Sequence, residues 1–258
     1  NNIYMKDTTI YKQCLIYIFF TATLILGFYL GEDLSGGAIY DYGIHKLTIE
    51  SVFLNGLSFG LLNYDDFSNT HSPIFIIILK YLIFNNEIIG RLIYLLISSL
   101  VVVVFYKSLV LKYNKNFLEL FILSNFFFLS PYFRGSAIWP GDETIAIIFL
   151  CLAIYYSLKF LLSEKKSLFF LLLNVLCLAL ASYLRPIYCI FSIYFFFIFF
   201  VNTKINLKFF ILYFILNFFL SFPAFYYVFI LDVNFFSNSL GDFNIFNTFT
   251  LLYLTIFF

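Results

Sequence analysis

Charge is what this chain has least of. Charged residues fill 11% of its 258 positions, where a soluble domain carries about 25%, and that shortage excludes an ordinary solvated surface. A formal net charge of +1 leaves no basic patch for a nucleic-acid partner. Cysteine is sparse as well. Cys14, Cys151, Cys177 and Cys189 show no CxxC or Cys/His spacing, so neither a disulfide framework nor a structural zinc site is implied, and packing roles are expected. No internal repeat is visible. The chain does not begin with Met and stops inside an apolar run, so it is expected to be a piece of a longer protein.

What is abundant is apolar length. Hydrophobic residues make up 63% of the sequence, and runs near the roughly 20 residues needed to cross a bilayer recur along it. The expected fold class is all-α: a polytopic membrane protein, one membrane domain over 1–258, with about seven or eight transmembrane helices. The runs read as Cys14–Leu30, Ile88–Tyr106, Phe117–Tyr132, Thr144–Leu162, Leu168–Tyr183, a sixth from Pro186 to about Val201, Phe209–Ile230 and a final truncated one. The first run resembles a signal peptide, but no small-residue cleavage site of the A-x-A kind follows it, so it reads as a span.

Gly31 to Glu87 is the longest stretch that is not continuously apolar. It opens with Gly31-Glu32-Asp33 and Asp41, and closes with Thr70-His71-Ser72-Pro73 and the short run Ile74–Phe84. That run is too short to span and reads as a helix at the membrane interface, beginning at Pro73. Lysines orient the whole. With the N-terminus in the cytoplasm, Lys6, Lys12, Lys107, Lys112, Lys115, Lys159, Lys165, Lys166, Lys204 and Lys208 face that side, and only Lys46 and Lys80 do not. Lysine-rich short loops belong inside. All three arginines, Arg91, Arg134 and Arg185, fall at the opposite ends of their spans. Most of the acids share that side. A guanidinium kept there is suited to phosphate, which its planar fork binds in a bidentate way; snorkelling or pairing with a loop carboxylate is the plainer use.

These residues resemble the GT-C superfamily of integral-membrane glycosyltransferases, in particular bacterial members related to protein mannosyltransferases and lipid-A aminoarabinose transferases. In that superfamily a first span leads to a large outside loop with an acidic motif. An H-P-P or K-P-P element and a membrane-lying helix follow, then a span opening with Arg, then two spans whose outside turn holds an Arg and an Asp. Here the corresponding pieces are Asp33 or Asp41, Thr70-His71-Ser72-Pro73, Gly90-Arg91-Leu92, and Ser130-Pro131-Tyr132-Phe133-Arg134 with Asp142. The sequence departs from the family at Asp41-Tyr42, where D-E is usual, and at His71-Ser72-Pro73, which has one proline.

The resemblance implies transfer of a sugar from a polyprenyl-phosphate donor to a lipid, glycan or protein acceptor on the extracytoplasmic face of a bacterial inner membrane. Inverting transfer needs a carboxylate base and cations for the departing phosphate. Asp41 is the expected base and Asp33 the second choice, each with helix capping as the plainer role. Arg134, then Arg91 and Arg185, are expected to hold the phosphate, with His71 as a further donor or metal contact. Asp142 and Glu143 stand where acids favour a helix N-terminus, and Asp142 is a candidate for substrate or metal. His45 is one helical turn from Asp41, at pairing distance in sequence. Whether a divalent metal ion takes part is left open. A transporter or flippase for lipid-linked glycans, and a glycan polymerase, are the competing readings.

Overall fold

The computed structural model describes residues 2–33, 36–54, 56–64, 72–83, 86–113, 116–163, 167–202 and 207–226. All regular structure among them is helical. Among the described residues four helices are long and apolar enough to cross a membrane: Ile10–Leu30, Glu87–Lys112, Asp142–Leu162 and Lys208–Phe225. The chain is therefore a membrane protein. Shorter apolar helices, Leu168–Leu184 among them, accompany these four.

The first helix, α1 (Asn2–Leu30), ends in a motif that its sequence dictates. Gly31 takes φ +65°, a conformation glycine enters without penalty. The Glu32 amide then donates to the Gly27 carbonyl at 2.9 Å and the Gly31 amide to Phe28 at 3.2 Å. These are the paired bonds of a Schellman cap. They satisfy carbonyls that would otherwise face lipid or an apolar core.

Among the described residues three helices lie between this cap and the next long span: α2 (Ala38–Val52), α3 (Leu57–Leu62) and α4 (Pro73–Ile83). As the sequence indicates, α4 starts at Pro73. It is more than a surface helix, however, because Phe75, Ile76, Leu79 and Ile83 are buried against α2 and the following helix. That following helix is α5 (Glu87–Ser98), which continues almost directly into α6 (Leu100–Lys112). Ser98 and Ser99 mark the junction, and their hydroxyls donate back to the Tyr94 and Leu95 carbonyls. Such back-bonding bends a helix without breaking it.

The apolar run Phe117–Tyr132 reads as one span in the sequence, but the structure divides it. It becomes α7 (Phe117–Ser124), a 3-10 stretch Asn125–Leu129, and α8 (Pro131–Ile138). The cause is local. The side chains of Ser124 and Asn125 both donate to the Phe121 carbonyl, competing with the helix ladder. Ser130 then caps α8 by accepting from the Phe133 amide at 3.2 Å, with Pro131 in the first turn. Arg134 consequently sits on a helix and not on a turn.

Helices α9 (Asp142–Leu162) and α10 (Leu168–Leu184) form the most extensive pair, and α6 also packs on α9. Asn174, buried in the middle of α10, donates to the Ala153 carbonyl of α9 at 2.8 Å, a polar tie of the kind used between membrane helices. A 3-10 turn, Pro186–Ile190, leads into α11 (Phe191–Asn202) and α12 (Leu207–Phe225). Pro223 interrupts the ladder inside α12. The cysteines are free: Cys151 and Cys177 are buried, Cys14 and Cys189 exposed.

At Gly90 the backbones of α4 and α5 come into close contact. A Cβ there would overlap the Leu82 carbonyl and lie 2.8 Å from Ile83 Cα, and backbone atoms cannot step aside. Gly90→Ala should lower stability by about 1–3 kcal/mol through overpacking. Gly43→Ala, where a Cβ meets nothing within 4 Å, should be neutral or stabilising by up to about 1 kcal/mol. Thermal unfolding in detergent compares the two.

Candidate functional site

Charged side chains on the four long helices stay within their first or last two turns. One end of the bundle collects nearly all the chemistry. The last turn of α1, the start of α2, the start of α5, all of α8, the start of α9 and the end of α10 meet there in a continuous polar layer.

Glu32 and Arg134 are its most enclosed pair. The Arg134 Nε and Nη2 donate to the two carboxylate oxygens of Glu32. Further donors reach the Thr23 hydroxyl at 3.5 Å and the Thr23 carbonyl at 3.3 Å. Side-chain exposure is 9% for Arg134 and 13% for Glu32, so the pair is held largely out of solvent. Gly27 makes the room: a Cβ there would collide with Glu32 Oε2. Sequence reasoning passed over Glu32. The available signals were its place directly after Gly31 and the small Gly27 in the last turn of α1.

Trp139 holds the neighbouring position. Its Nε1 donates to the Glu32 carbonyl at 3.0 Å, and its ring lies 3.6 Å from the Arg91 guanidinium carbon. Partly buried, this tryptophan is wedged between Glu32 and Arg91. Arg91 donates through Nε and Nη2 to the Ile138 carbonyl, at 3.3 and 3.2 Å. Phe28 and Tyr42 supply further aromatic faces at 4.8 and 5.6 Å. Its charge is balanced by ring quadrupoles and by the nearby Glu87 charge, where Arg134 has a carboxylate held directly in its fork. Burial, and next the Glu87 charge, push the Tyr42 phenol well above its ordinary range. Tyr42 stays protonated at neutral pH and is no base.

The second half of the layer is built on α9 and α10. Asp142 is buried at the first position of α9. Arg185, just past the end of α10, pairs with Asp142 at 3.0 Å and with Glu143. Unlike Arg134, Arg185 keeps 34% of its side chain exposed, and its Nε has no hydrogen-bond partner among the described residues. Tyr94, fully buried on α5, donates to the Gly141 carbonyl and joins the two halves.

The expected catalytic acids behave differently from each other. Asp33 accepts from the Ala38 amide at 3.1 Å, closing the first turn of α2; capping is what it visibly does. Asp41 lies exposed in that same first turn. His45, one turn on, is 1% exposed and meets the Phe75 ring edge-on at 5.0 Å, so it is a packing residue between α2 and α4 in surroundings unlike those of Asp41. His71 lies outside the described residues. The lysines that break the orientation pattern are tied down too. Lys46 pairs with Glu87 at 2.7 Å, a hydrogen bond that raises its pKa, and Lys80 donates to the Phe53 carbonyl at 3.1 Å. Among the described residues no group of three or more His, Cys, Asp or Glu is placed to hold a metal ion.

Beside the polar layer opens an apolar groove of about 940 Å³. Its walls are α10, the turn after it, and α12, with Pro73 at the head of α4. Ser182, Pro186, Asn217, Leu220 and Phe225 are among the residues that line it. Tyr183 and Pro186, which flank Arg185 in sequence, are part of that lining.

No protein-family model matches the chain, and neither a characterised protein nor a solved structure is significantly similar to it.

Breaking a buried ion pair by removing one partner costs about 3–5 kcal/mol, because the other charge is left uncompensated. Glu32→Ala and Arg134→Ala should each approach that loss. The double substitution should cost clearly less than their sum, a coupling that unfolding measurements on the four variants would read directly.

Proposed function

We propose that this chain is the membrane-embedded part of a glycosyltransferase of the GT-C kind, with about seven or eight spans, its N-terminus in the cytoplasm and the polar layer outside. It transfers a sugar from a polyprenyl-phosphate donor to a hydroxyl or amine acceptor. The observation that carries the reading is the junction of groove and cation. An apolar groove suited to a lipid chain starts beside Arg185, the arginine with the most open side chain. Behind it stand acids on helix ends.

In this reading the lipid chain lies in the groove and its phosphate meets Arg185. Asp41 takes the proton from the acceptor as the acceptor atom attacks the anomeric carbon. The bond from that carbon to the phosphate oxygen breaks, and the phosphate leaves with the electron pair, its charge balanced by the guanidinium. Asp41 is preferred to Asp33 because its carboxylate is exposed, whereas Asp33 is engaged at the Ala38 amide. Arg185 is preferred to Arg134 because the Arg134 fork is filled by Glu32.

The test is release of polyprenyl phosphate from a panel of polyprenyl-phosphate sugars by the protein in liposomes. Asp41→Asn should slow release by about 10²- to 10⁴-fold, and Asp33→Asn should remain active. Arg185→Ala should raise the donor KM, with Arg185→Lys restoring it only in part, since a point charge does not reproduce the fork. Full activity of Asp41→Asn together with a dead Asp33→Asn exchanges the two roles. Release from no donor rejects the reading and leaves transport or polymerisation.

Orientation is checked separately by cysteine labelling. A cysteine replacing Tyr40, 74% exposed on α2, should react with an impermeant reagent from outside the cell. One replacing Tyr113, at the far end of α6, should react only after permeabilisation, and the reverse pattern would invert the topology.

A further inference from the structure

The geometry points to Glu32 as a positioning residue: its clasp on Arg134 fixes where α2 leaves α1, and so where Asp41 stands. The functional consequence rests on the glycosyl-transfer reading; the mechanical claim does not.

Glu32 is held at every polar group it has. Its amide donates to Gly27, its carbonyl accepts from Trp139, and its carboxylate is gripped by Arg134. Three partners on two helices leave this residue one position. Asp33 follows immediately, and its carboxylate caps the first residue of α2. Asp41 lies in the next part of that first turn, and Tyr42 packs on Trp139 with ring centroids 5.9 Å apart. The path from Arg134 to Asp41 is thus short and made of fixed contacts. A Cβ at Gly27 would meet the Glu32 carboxylate, which would have to shift from its present place to admit it. Arg134 acts on the loop through Glu32 and does not itself touch the donor.

The experiment reads α2 directly. Thr48, on the buried side of α2 and 6% exposed, is replaced by cysteine in the full chain, with the exposed Cys14 and Cys189 changed to serine. Labelling by an impermeant maleimide is slow while α2 is seated. Gly27→Ala and Glu32→Gln should each speed it by about tenfold or more, as expected when a cooperative segment opens more often. Gly27→Ala is the sharper variant, because it changes no charge and alanine is the better helix former. The exchange Glu32→Arg with Arg134→Glu should return labelling to the slow rate, and should restore both kcat and donor KM.

Unchanged labelling in Gly27→Ala and Glu32→Gln overturns the clasp. Slow labelling in the exchanged protein with a donor KM still raised also overturns it, because Arg134 would then be gripping the phosphate itself. Should the exchanged protein fail to fold, the Gly27→Ala result decides alone. If no variant, parent included, releases polyprenyl phosphate, the transfer reading fails while the labelling still decides the clasp.

Discussion

A guanidinium at the edge of a bilayer must find oxygens or aromatic faces, because the neighbouring lipid offers it nothing. The polar end of this protein is arranged by that demand. Arg134 meets it with Glu32 and Thr23, Arg185 with Asp142 and Glu143, and Arg91 with a carbonyl and the Trp139 face. Each solution joins two different helices: α1 to α8, α10 to α9, α5 to α8. The three arginines therefore build the platform as much as they furnish it with charge. Helices that elsewhere meet mainly through apolar side chains acquire a fixed register at that end.

Much of this was legible in the sequence. The scarcity of charge and the length of the apolar runs gave the all-helical membrane class. Proline at position 73 marked the start of α4, and the arginines and acids did gather in one layer. What periodicity and hydropathy could not give was partnership. Glu32 looked like one acid among several after the first span. Its value came from a Schellman cap that aims it and from a glycine one turn earlier that admits it. Arg134 stood out as a lone cation, but the residue that neutralises it is more than a hundred positions away.

Phe117–Tyr132 misled for a different reason. Its composition is that of a span, and hydropathy sums composition. The helix ladder instead depends on each carbonyl, and Ser124 and Asn125 claim the one at Phe121. His45 misled likewise. Its spacing from Asp41 suits a pair, while its burial against Phe75 makes it core.

The filled fork of Arg134 and the open side chain of Arg185 turn the functional question into one of place. In the proposed reading the groove beside Arg185 holds the lipid chain, and the ion pair with Glu32 keeps Arg134 occupied. The most direct measurement is a cryo-EM map of the full chain in a lipid nanodisc with polyprenyl phosphate bound. The account predicts the chain in the groove between α10 and α12, the phosphate on Arg185, and Glu32 still paired with Arg134. Phosphate density on Arg134, with Glu32 displaced from it, would contradict the account.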